Sequence, residues 1–370
     1  MKIPLHKENI QGLVVRGYTH PCSCHLLYRF PDKKKAAGFI KDLLPYVQSG
    51  VPWVKKPDFM LNMAFTFTGL QIASPLNVDE LQNFSDTFKQ GPGSDNSQAS
   101  LNDIGAGSPD KWLFGAFENE APVPGKQVDV VIHTYGMTDQ DLEKIVTIVT
   151  ASATKNNITE LYPFENKGRL IQYPLPNNTI HFGYHDGISE PDLTWPADFP
   201  ADPDAVTDQG DLNNFLIGYP NSSVQPGPSG GGSASDFSKD GCYNAFRVMF
   251  QDVKAFDKYL KDNAPKAAKL LGKSTDYAEE WIAAKLCGRW RNGSPLILSP
   301  EMPDPETANA TEYNYAGDTK AMKCPFSGHT RVANPRDEPV FPREEPIPRL
   351  ARRGMPYGAP LNSPDFKKTI

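Results

Sequence analysis

Apolar residues recur at every third or fourth position in four segments of the chain, the period of an amphipathic α-helix. Polar caps mark two of the starts, Asp32 in the first segment and Thr138 in the second. Gly288 follows the last segment in the position of a C-terminal cap. Of the four predicted helices, the first begins after Asp32 and the second at Thr138. The third spans Gln251–Leu260 and the fourth spans residues 275–287.

Runs rich in aromatic and β-branched residues lie between these helices and predict strands. Each half of the chain then has a β-α-β order, which predicts an α+β fold of two ferredoxin-like domains with antiparallel sheets. A proline-rich stretch at residues 174–178 predicts the boundary, giving domains 1–175 and 176–370. The predicted strands are Cys24–Phe30, Met63–Phe67, Val128–His133 and Asn244–Phe250.

Proline occupies 35 of 370 positions, which predicts that long uninterrupted helices are absent. Residues 89–111 and 219–241 are dominated by small and polar side chains, and both are predicted to be surface loops.

Composition then excludes several classes of protein. Hydrophobic residues make up 39% and charged residues 22%, as in globular chains. The sequence contains no run of ~18 apolar residues, so it predicts no membrane span. A net charge of −6 argues against nucleic-acid binding. Five scattered cysteines suit a reducing compartment and predict a cytoplasmic protein. Six Asn-x-Ser/Thr sequons could be glycosylated in a secreted protein, so an extracellular form whose leader has been removed is the alternative to a cytoplasmic one.

Three local patterns imitate functional sites. Gly272-Lys273-Ser274 resembles the end of a phosphate-binding loop, but Ala267 stands where that loop needs glycine, so a helix end is predicted. The segment His20–His25 contains four potential zinc ligands, two histidines and two cysteines, but no second pair stands elsewhere, so packing residues at the start of a strand are predicted. His133, in an apolar strand, is predicted to be a satisfied core or surface histidine.

Three other segments combine chemically active side chains with glycines that let a backbone approach a flat ligand. Together they supply a carboxylate, an imidazole and several guanidiniums. From the residues alone, acid–base work on a small molecule and a metal held by one histidine both remain open. The segments are His181–Pro191 around Asp186, Cys324–Arg336 around His329, and Arg352–Gly358.

These segments closely resemble the motifs of the dye-decolorizing (DyP-type) haem peroxidases. The glycine-flanked Asp186 matches the family's GxxDG motif. Cys-Pro-Phe-x-x-His-x-Arg…Asn-Pro-Arg, around His329, matches its haem-ligand segment, and Arg-Arg-Gly-x-Pro-Tyr-Gly, from Arg352, its distal arginine segment. The resemblance covers nearly the whole chain. It implies the dimeric α+β barrel-type fold, with one haem b per chain in the C-terminal domain.

The resemblance also implies a role for each matching residue. His329 would be the proximal ligand of the haem iron. Asp186 would take a proton from hydrogen peroxide and return it to the leaving oxygen. Arg352 would stabilise negative charge on that oxygen, with Arg353 as the second candidate.

Further residues are expected around the cofactor. Arg331 and Arg336 would either pair with the haem propionates or brace their loop. His185, next to Asp186, would play a supporting role. The residues directly after Asp186 would line the cofactor; they are Gly187, Ile188 and Ser189.

The implied function is a peroxidase that reduces hydrogen peroxide and oxidises dyes, phenols and other organic reductants. Carboxyl groups ordinarily titrate near pH ~4, so a distal Asp predicts an acidic optimum. Family members usually continue for several dozen residues beyond the point matching Ile370. Three explanations stay open: a second polypeptide that supplies the missing C-terminal segment, an unlisted remainder of the chain, or true loss of the segment. A homo-oligomer is compatible with this class. One alternative is a haem-handling protein with weak peroxidase turnover, and another is a hydrolase that uses Asp186 and His185.

Overall fold

The computed structural model describes residues 7–118, 121–164, 166–172, 175–189, 215–219, 231–336, 350–360 and 363. The chain divides into two compact units. The first unit comprises Met1–Gln172 and Leu193–Ala245, and the second comprises Tyr173–Asp192 and Phe246–Ile370. The domain boundary at residue 175 stays a prediction.

The first unit contains an antiparallel sheet with the strand order β2-β5-β1-β6 and a short strand β7 that also pairs with β1. Two long helices connect its strands in the order β-α-β-β-α-β, so the sequence's α+β class and ferredoxin-like order are confirmed. The strands are β1 (Cys22–Arg29), β2 (Phe59–Phe65), β5 (Val130–Gly136), β6 (Thr159–Leu161) and β7 (Leu170–Ile171); the helices are α2 (Lys33–Leu43) and α7 (Asp139–Lys155).

The two helices begin where the sequence predicts. The Asp32 side chain accepts a hydrogen bond from the Lys35 amide at the start of α2, and the Thr138 side chain accepts one from the Asp141 amide at the start of α7. Their apolar sides pack on one face of the sheet, where Leu26, Tyr28 and Ile132 are fully buried. This packing forms the main core of the first unit.

Polar side chains are buried on the same two central strands. His25 and His133 lie opposite each other in β1 and β5, with 3.0 Å between their Nδ1 atoms. Burial lowers the pKa of both rings, that of His133 to about 4. His133 is therefore a satisfied core histidine, as predicted. Cys24 is also buried in β1, which confirms the packing interpretation of the His20–His25 segment.

Short elements complete the first unit. They correct the loop predicted over residues 89–111, because Ser85 and Ser94 cap two helical segments there. The predicted loop 219–241 likewise contains a helix, while residues 220–230 lie outside the described residues. The short elements are α1 (Gly12–Val15), α3 (Phe67–Ala73), α4 (Val78–Leu81), α5 (Asp86–Gln90), α6 (Asp95–Leu101), α8 (Ser233–Ser238), β3 (Phe117–Glu118) and β4 (Ala121–Pro122).

The second unit is built around α9 (Val253–Leu271), α10 (Thr275–Cys287) and the short α11 (His329–Ala333). Helix α9 runs beyond the predicted end at Leu260 and contains Pro265, so the expectation that prolines keep the helices short is wrong here. Gly272 and Gly288 end α9 and α10 in left-handed backbone, as expected for C-terminal caps.

The predicted strand Asn244–Phe250 is wrong. None of residues 241–250 belongs to a strand, because no described strand pairs with this segment; the chain passes from the first unit into the second within it, at Ala245 and Phe246. Over the described ranges, the second unit contains isolated β-bridges and no strand. Among all described helices, none has the length and apolarity needed to cross a membrane.

Candidate functional site

Asp186 lies on a turn that is tied to its surroundings through backbone groups. Its own amide donates to the Asn178 carbonyl at 2.8 Å, and Gly187 follows with φ +73°, a conformation that favours glycine. The Asp186 side chain is exposed, and no hydrogen-bond partner for its carboxylate occurs among the described residues. A fixed backbone thus presents a free carboxylate.

The same turn is anchored on α10. Buried Tyr184 donates from its hydroxyl to the Ala283 carbonyl at 2.7 Å. Cys287, at the end of α10, has a raised pKa, mainly through burial, and the negative charge of Asp186 adds to the shift. Asp186 therefore lies near the C-terminal end of α10.

The neighbours of Asp186 have different environments. His185 uses Nδ1 to contact the Asn177 carbonyl at 2.9 Å, so this nitrogen is engaged away from the carboxylate. Ile188 is half-buried against Gly293, where a Cβ would overlap the Ile188 side chain. Ser189 is exposed.

His329 is the first residue of α11, and its side chain is exposed. In the part of the chain that the structure describes, neither ring nitrogen has a hydrogen-bond partner. Desolvation of the ring lowers its pKa, and the positive charge of Arg352 lowers it further. Both effects favour the neutral imidazole, the form that binds metals.

The backbone before His329 is held by a buried ion pair between Asp318 and Arg331. Arg331 Nη1 donates to Asp318 Oδ2 at 3.0 Å, and the two side chains are only 1% and 3% exposed. Asp318 also accepts from the amides of Lys323 at 3.0 Å and Cys324 at 2.9 Å. Burial favours the neutral acid most strongly, yet these hydrogen bonds and Arg331 together lower the pKa of Asp318.

Arg331 has its donors occupied in other ways too. Its Nη1 also donates to the Cys324 carbonyl, and Nη2 donates to the Asp318 carbonyl at 3.0 Å. The guanidinium carbon lies 4.5 Å from the centre of the Tyr315 ring. Of the two roles expected for Arg331, this geometry favours bracing the loop.

Arg336 is arranged differently. Its guanidinium carbon lies 3.9 Å from the centre of the Tyr313 ring, and its side chain is half-buried. Within the described ranges no carboxylate or carbonyl accepts from this guanidinium. Stacking on an aromatic ring holds a guanidinium in place while leaving its donor edge available to an anion.

The arginine segment approaches both Asp186 and His329. A Cβ on Gly354 would lie 4.0 Å from Oδ2 of Asp186, and the charge of Arg352 acts on the His329 ring. Arg352 is exposed, and Arg353 donates from Nη1 to the Arg352 carbonyl at 2.9 Å. Three segments that are distant in sequence therefore meet within the second unit, as the motifs predict.

Sequence reasoning missed Asp318. Its carboxylate is the hub of the brace, but it precedes Cys324 by six residues in a segment without periodic pattern. Its burial and its contacts with Arg331 and two backbone amides distinguish it, and these appear only in the folded structure. Across the described residues, no group of three or more His, Cys, Asp and Glu side chains could hold a bare metal ion.

Comparison with known proteins relates these features to one family. The dye-decolorizing peroxidase msp1 of Mycetinis scorodonius is 27% identical over 369 residues, which are 96% of this chain and 65% of that protein. A dye-decolorizing peroxidase of Exidia glandulosa is 31% identical over 191 residues, 49% of this chain and 35% of its own length. The chain is related to the dye-decolorizing peroxidases. No protein-family model matches it.

Solved structures of dye-decolorizing peroxidases have the same fold. An ancestral D-type dye-decolorizing peroxidase gives a TM-score of 0.74 at 24% identity, covering 99% of this chain and 78% of that one. A variant from Pleurotus ostreatus gives 0.74 at 21% identity, with 99% and 77% covered. The fold class predicted from the sequence is thereby confirmed. The chain spans 65% of the length of the Mycetinis protein.

Proposed function

We propose that this chain is a haem peroxidase of the dye-decolorizing type, which reduces hydrogen peroxide and oxidises dyes, phenols and other organic reductants. One observation carries the proposal: the second unit brings together an imidazole, a carboxylate and guanidiniums whose polar atoms have no hydrogen-bond partner among the described residues. Those groups are His329, Asp186, Arg352 and Arg336, and they stand at the positions of the peroxidase motifs.

The free groups fit a haem b. An iron porphyrin needs an axial ligand and carries two propionates. The neutral, exposed imidazole of His329 suits the iron. Arg336, stacked on Tyr313 with its donor edge available, suits a propionate. One such histidine segment supports one haem per chain.

The haem would supply the two-electron reduction of peroxide and the oxidising equivalents for the reductant. Asp186 would accept the proton of hydrogen peroxide at its carboxylate and return it to the leaving oxygen. Arg352 would stabilise the negative charge on that oxygen. The turn at Gly187 would let the chain approach the flat cofactor, next to Ile188 and Ser189.

Arg331 and Arg353 would have structural roles. The buried pair of Arg331 with Asp318 would set the orientation of α11, and so of His329. The contact of Arg353 with the Arg352 carbonyl would hold the arginine segment.

We also propose that further polypeptide, in this chain or a second one, covers the cofactor. The support is that the side chains of Asp186, His329 and Arg352 are all exposed in the second unit, whereas excluding water from a site prevents side reactions of reactive intermediates. The five free cysteines support a reducing, cytoplasmic compartment.

The test is the absorption spectrum of the haem-reconstituted chain before and after one equivalent of hydrogen peroxide. A Soret band that changes promptly and then returns with added reductant is expected. Asp186→Asn should keep the Soret band but lower peroxide turnover by about 10²–10⁴-fold. Arg352→Leu should lower it by about 10²–10³-fold.

A matched variant separates these roles from general damage. Asp276→Asn replaces an exposed acid at the start of α10 and should keep turnover within about twofold. His329→Ala should lose the Soret band. A band that ignores peroxide would favour the haem-handling alternative, and no band in the wild type would overturn the proposal for this chain alone.

A further inference from the structure

A cleft of about 380 Å³ lies in the second unit, and none of its lining residues is assigned to the haem. Tyr277, Trp281 and Lys285 form one side of it, at intervals of four residues along α10. Residues four apart are neighbours on a helix surface. Two half-exposed aromatic rings therefore follow each other along one face of α10.

Ammonium groups lie at both ends of this aromatic face. Lys273 Nζ is 5.6 Å from the centre of the Tyr277 ring, and Lys285 Nζ is 5.1 Å from the Trp281 ring. The Tyr277 hydroxyl donates to the Glu301 carbonyl at 2.6 Å, which fixes that ring against the neighbouring segment. The Tyr277 ring is thus held in place, and both rings are partly open to solvent.

The segment around Met322 adds another cation to the lining of the cleft. Lys323 lines the cleft together with Met322, and the Lys285 ammonium donates to the Met322 carbonyl at 3.2 Å. In the described portion of the chain, Lys273 and Lys323 have no carboxylate partner. Three lysines and one acid, Glu301, make the cleft positive on a chain whose net charge is −6.

We propose that this cleft binds a flat aromatic molecule that carries a carboxylate or sulfonate group. The rings of Tyr277 and Trp281 would pack against the aromatic system, while Lys273 and Lys323 would pair with the acid group. The volume is at the low end of small-molecule sites, about 300–1,000 Å³, so it suits one or two fused rings.

Calorimetric titration of the haem-reconstituted chain, in which the haem site is filled, tests this cleft. Naphthalene-2-sulfonate is the charged probe, and naphthalene-2-sulfonamide is the neutral probe of the same shape. The sulfonate should bind at least tenfold more tightly, and its advantage should shrink between 0.05 and 0.5 M salt, because salt screens exposed charges. Equal affinities, or no binding of the sulfonate at 1 mM, would overturn the proposal.

Variants locate the binding. Lys273→Glu and Lys323→Glu should each weaken sulfonate binding at least tenfold. Lys254→Glu makes the same charge change on an exposed lysine of α9 outside the cleft, and should change it less than twofold. An equal loss in Lys254→Glu would mean that only net charge matters, which contradicts the proposal.

The aromatic face has its own test. Trp281→Leu should weaken both probes, and the circular dichroism of each variant shows whether it is folded. Because Trp281 also packs against the core of the second unit, the lysine variants decide the question if this one unfolds. Sulfonate binding is measured separately from the Soret band and peroxide turnover. A chain that keeps both but binds no sulfonate would therefore contradict this proposal alone and leave the proposed peroxidase function intact.

Discussion

Replacing Asp318 by Asn should destabilise the second unit strongly. The carboxylate accepts from two backbone amides and from Arg331, and both charged side chains are nearly fully buried. The amide of Asn has one acceptor oxygen and brings its own donors toward the same N–H groups. Arg331 would then keep its positive charge in the interior without a counter-charge.

The size of the loss follows from that uncompensated charge. Removing one partner of a buried ion pair costs about 3–5 kcal/mol, whereas removing both partners costs much less. We therefore expect Asp318→Asn to lower the free energy of unfolding by about 3–5 kcal/mol. Adding Arg331→Met should restore at least ~1 kcal/mol of it, so the two effects should not add.

Urea unfolding followed by tryptophan fluorescence measures these free energies, and hydrogen exchange of residues 318–334 shows where the loss occurs. Asp262→Asn is the matched control, because its partner Lys258 is 73% exposed and that pair should contribute less than about 1 kcal/mol. A cost below 1 kcal/mol for Asp318→Asn, or simple additivity with Arg331→Met, would refute the reasoning. Since the pKa of Asp318 is lowered in the fold, its contribution should be lost as pH falls below about 4.

Three further outcomes are expected. Gly288→Ala should lower the free energy of unfolding, measured by thermal unfolding, by at least ~1 kcal/mol more than Gly272→Ala. Both glycines have positive φ, but only at Gly288 would a Cβ overlap α11, so equal losses would contradict this reasoning. The free energy of unfolding should fall by up to ~3 kcal/mol between pH 6.5 and 4, because His133 takes up a proton in the unfolded chain but stays neutral when it is buried. If the dependence of that free energy on pH is unchanged in His133→Gln, this explanation is wrong. Burial raises the pKa of Cys24 to about 12 and that of Cys324 to about 11. Peptide mapping after treatment with iodoacetamide at pH 8 should therefore find both thiols unmodified in the folded chain and modified in urea. Rapid labelling of the folded chain would contradict this, because it would show that the thiols are accessible.

The sequence predicts the elements that local signals control. Helices α2 and α7 begin at their capping residues Asp32 and Thr138, and α10 ends at Gly288. The second strand shows where such signals compete. It was predicted over Met63–Phe67 but spans Phe59–Phe65, because the Thr66 side chain accepts from the Gly69 amide and starts a helix instead.

Long-range partners explain what the sequence could not predict. Residues 241–250 have the composition of a strand, but a strand needs a hydrogen-bonded neighbour, and the segment serves as the passage between units. In the candidate site, motifs indicated Asp186, His329 and Arg352. They left two roles open for Arg331, because only its burial against Asp318 favours one of them.

The separation of the site residues along the chain has a consequence for biosynthesis. Asp186 and His329 are 143 residues apart, with α9 and α10 between them, and Arg352 follows later still. At roughly 5–20 residues per second, a ribosome needs about 8–33 s to proceed from Asp186 to Arg352. A nascent chain thus presents its acid turn long before the imidazole exists. Under the proposed function, haem would therefore load only at the end of synthesis, and a chain released before His329 would lack the imidazole for the iron.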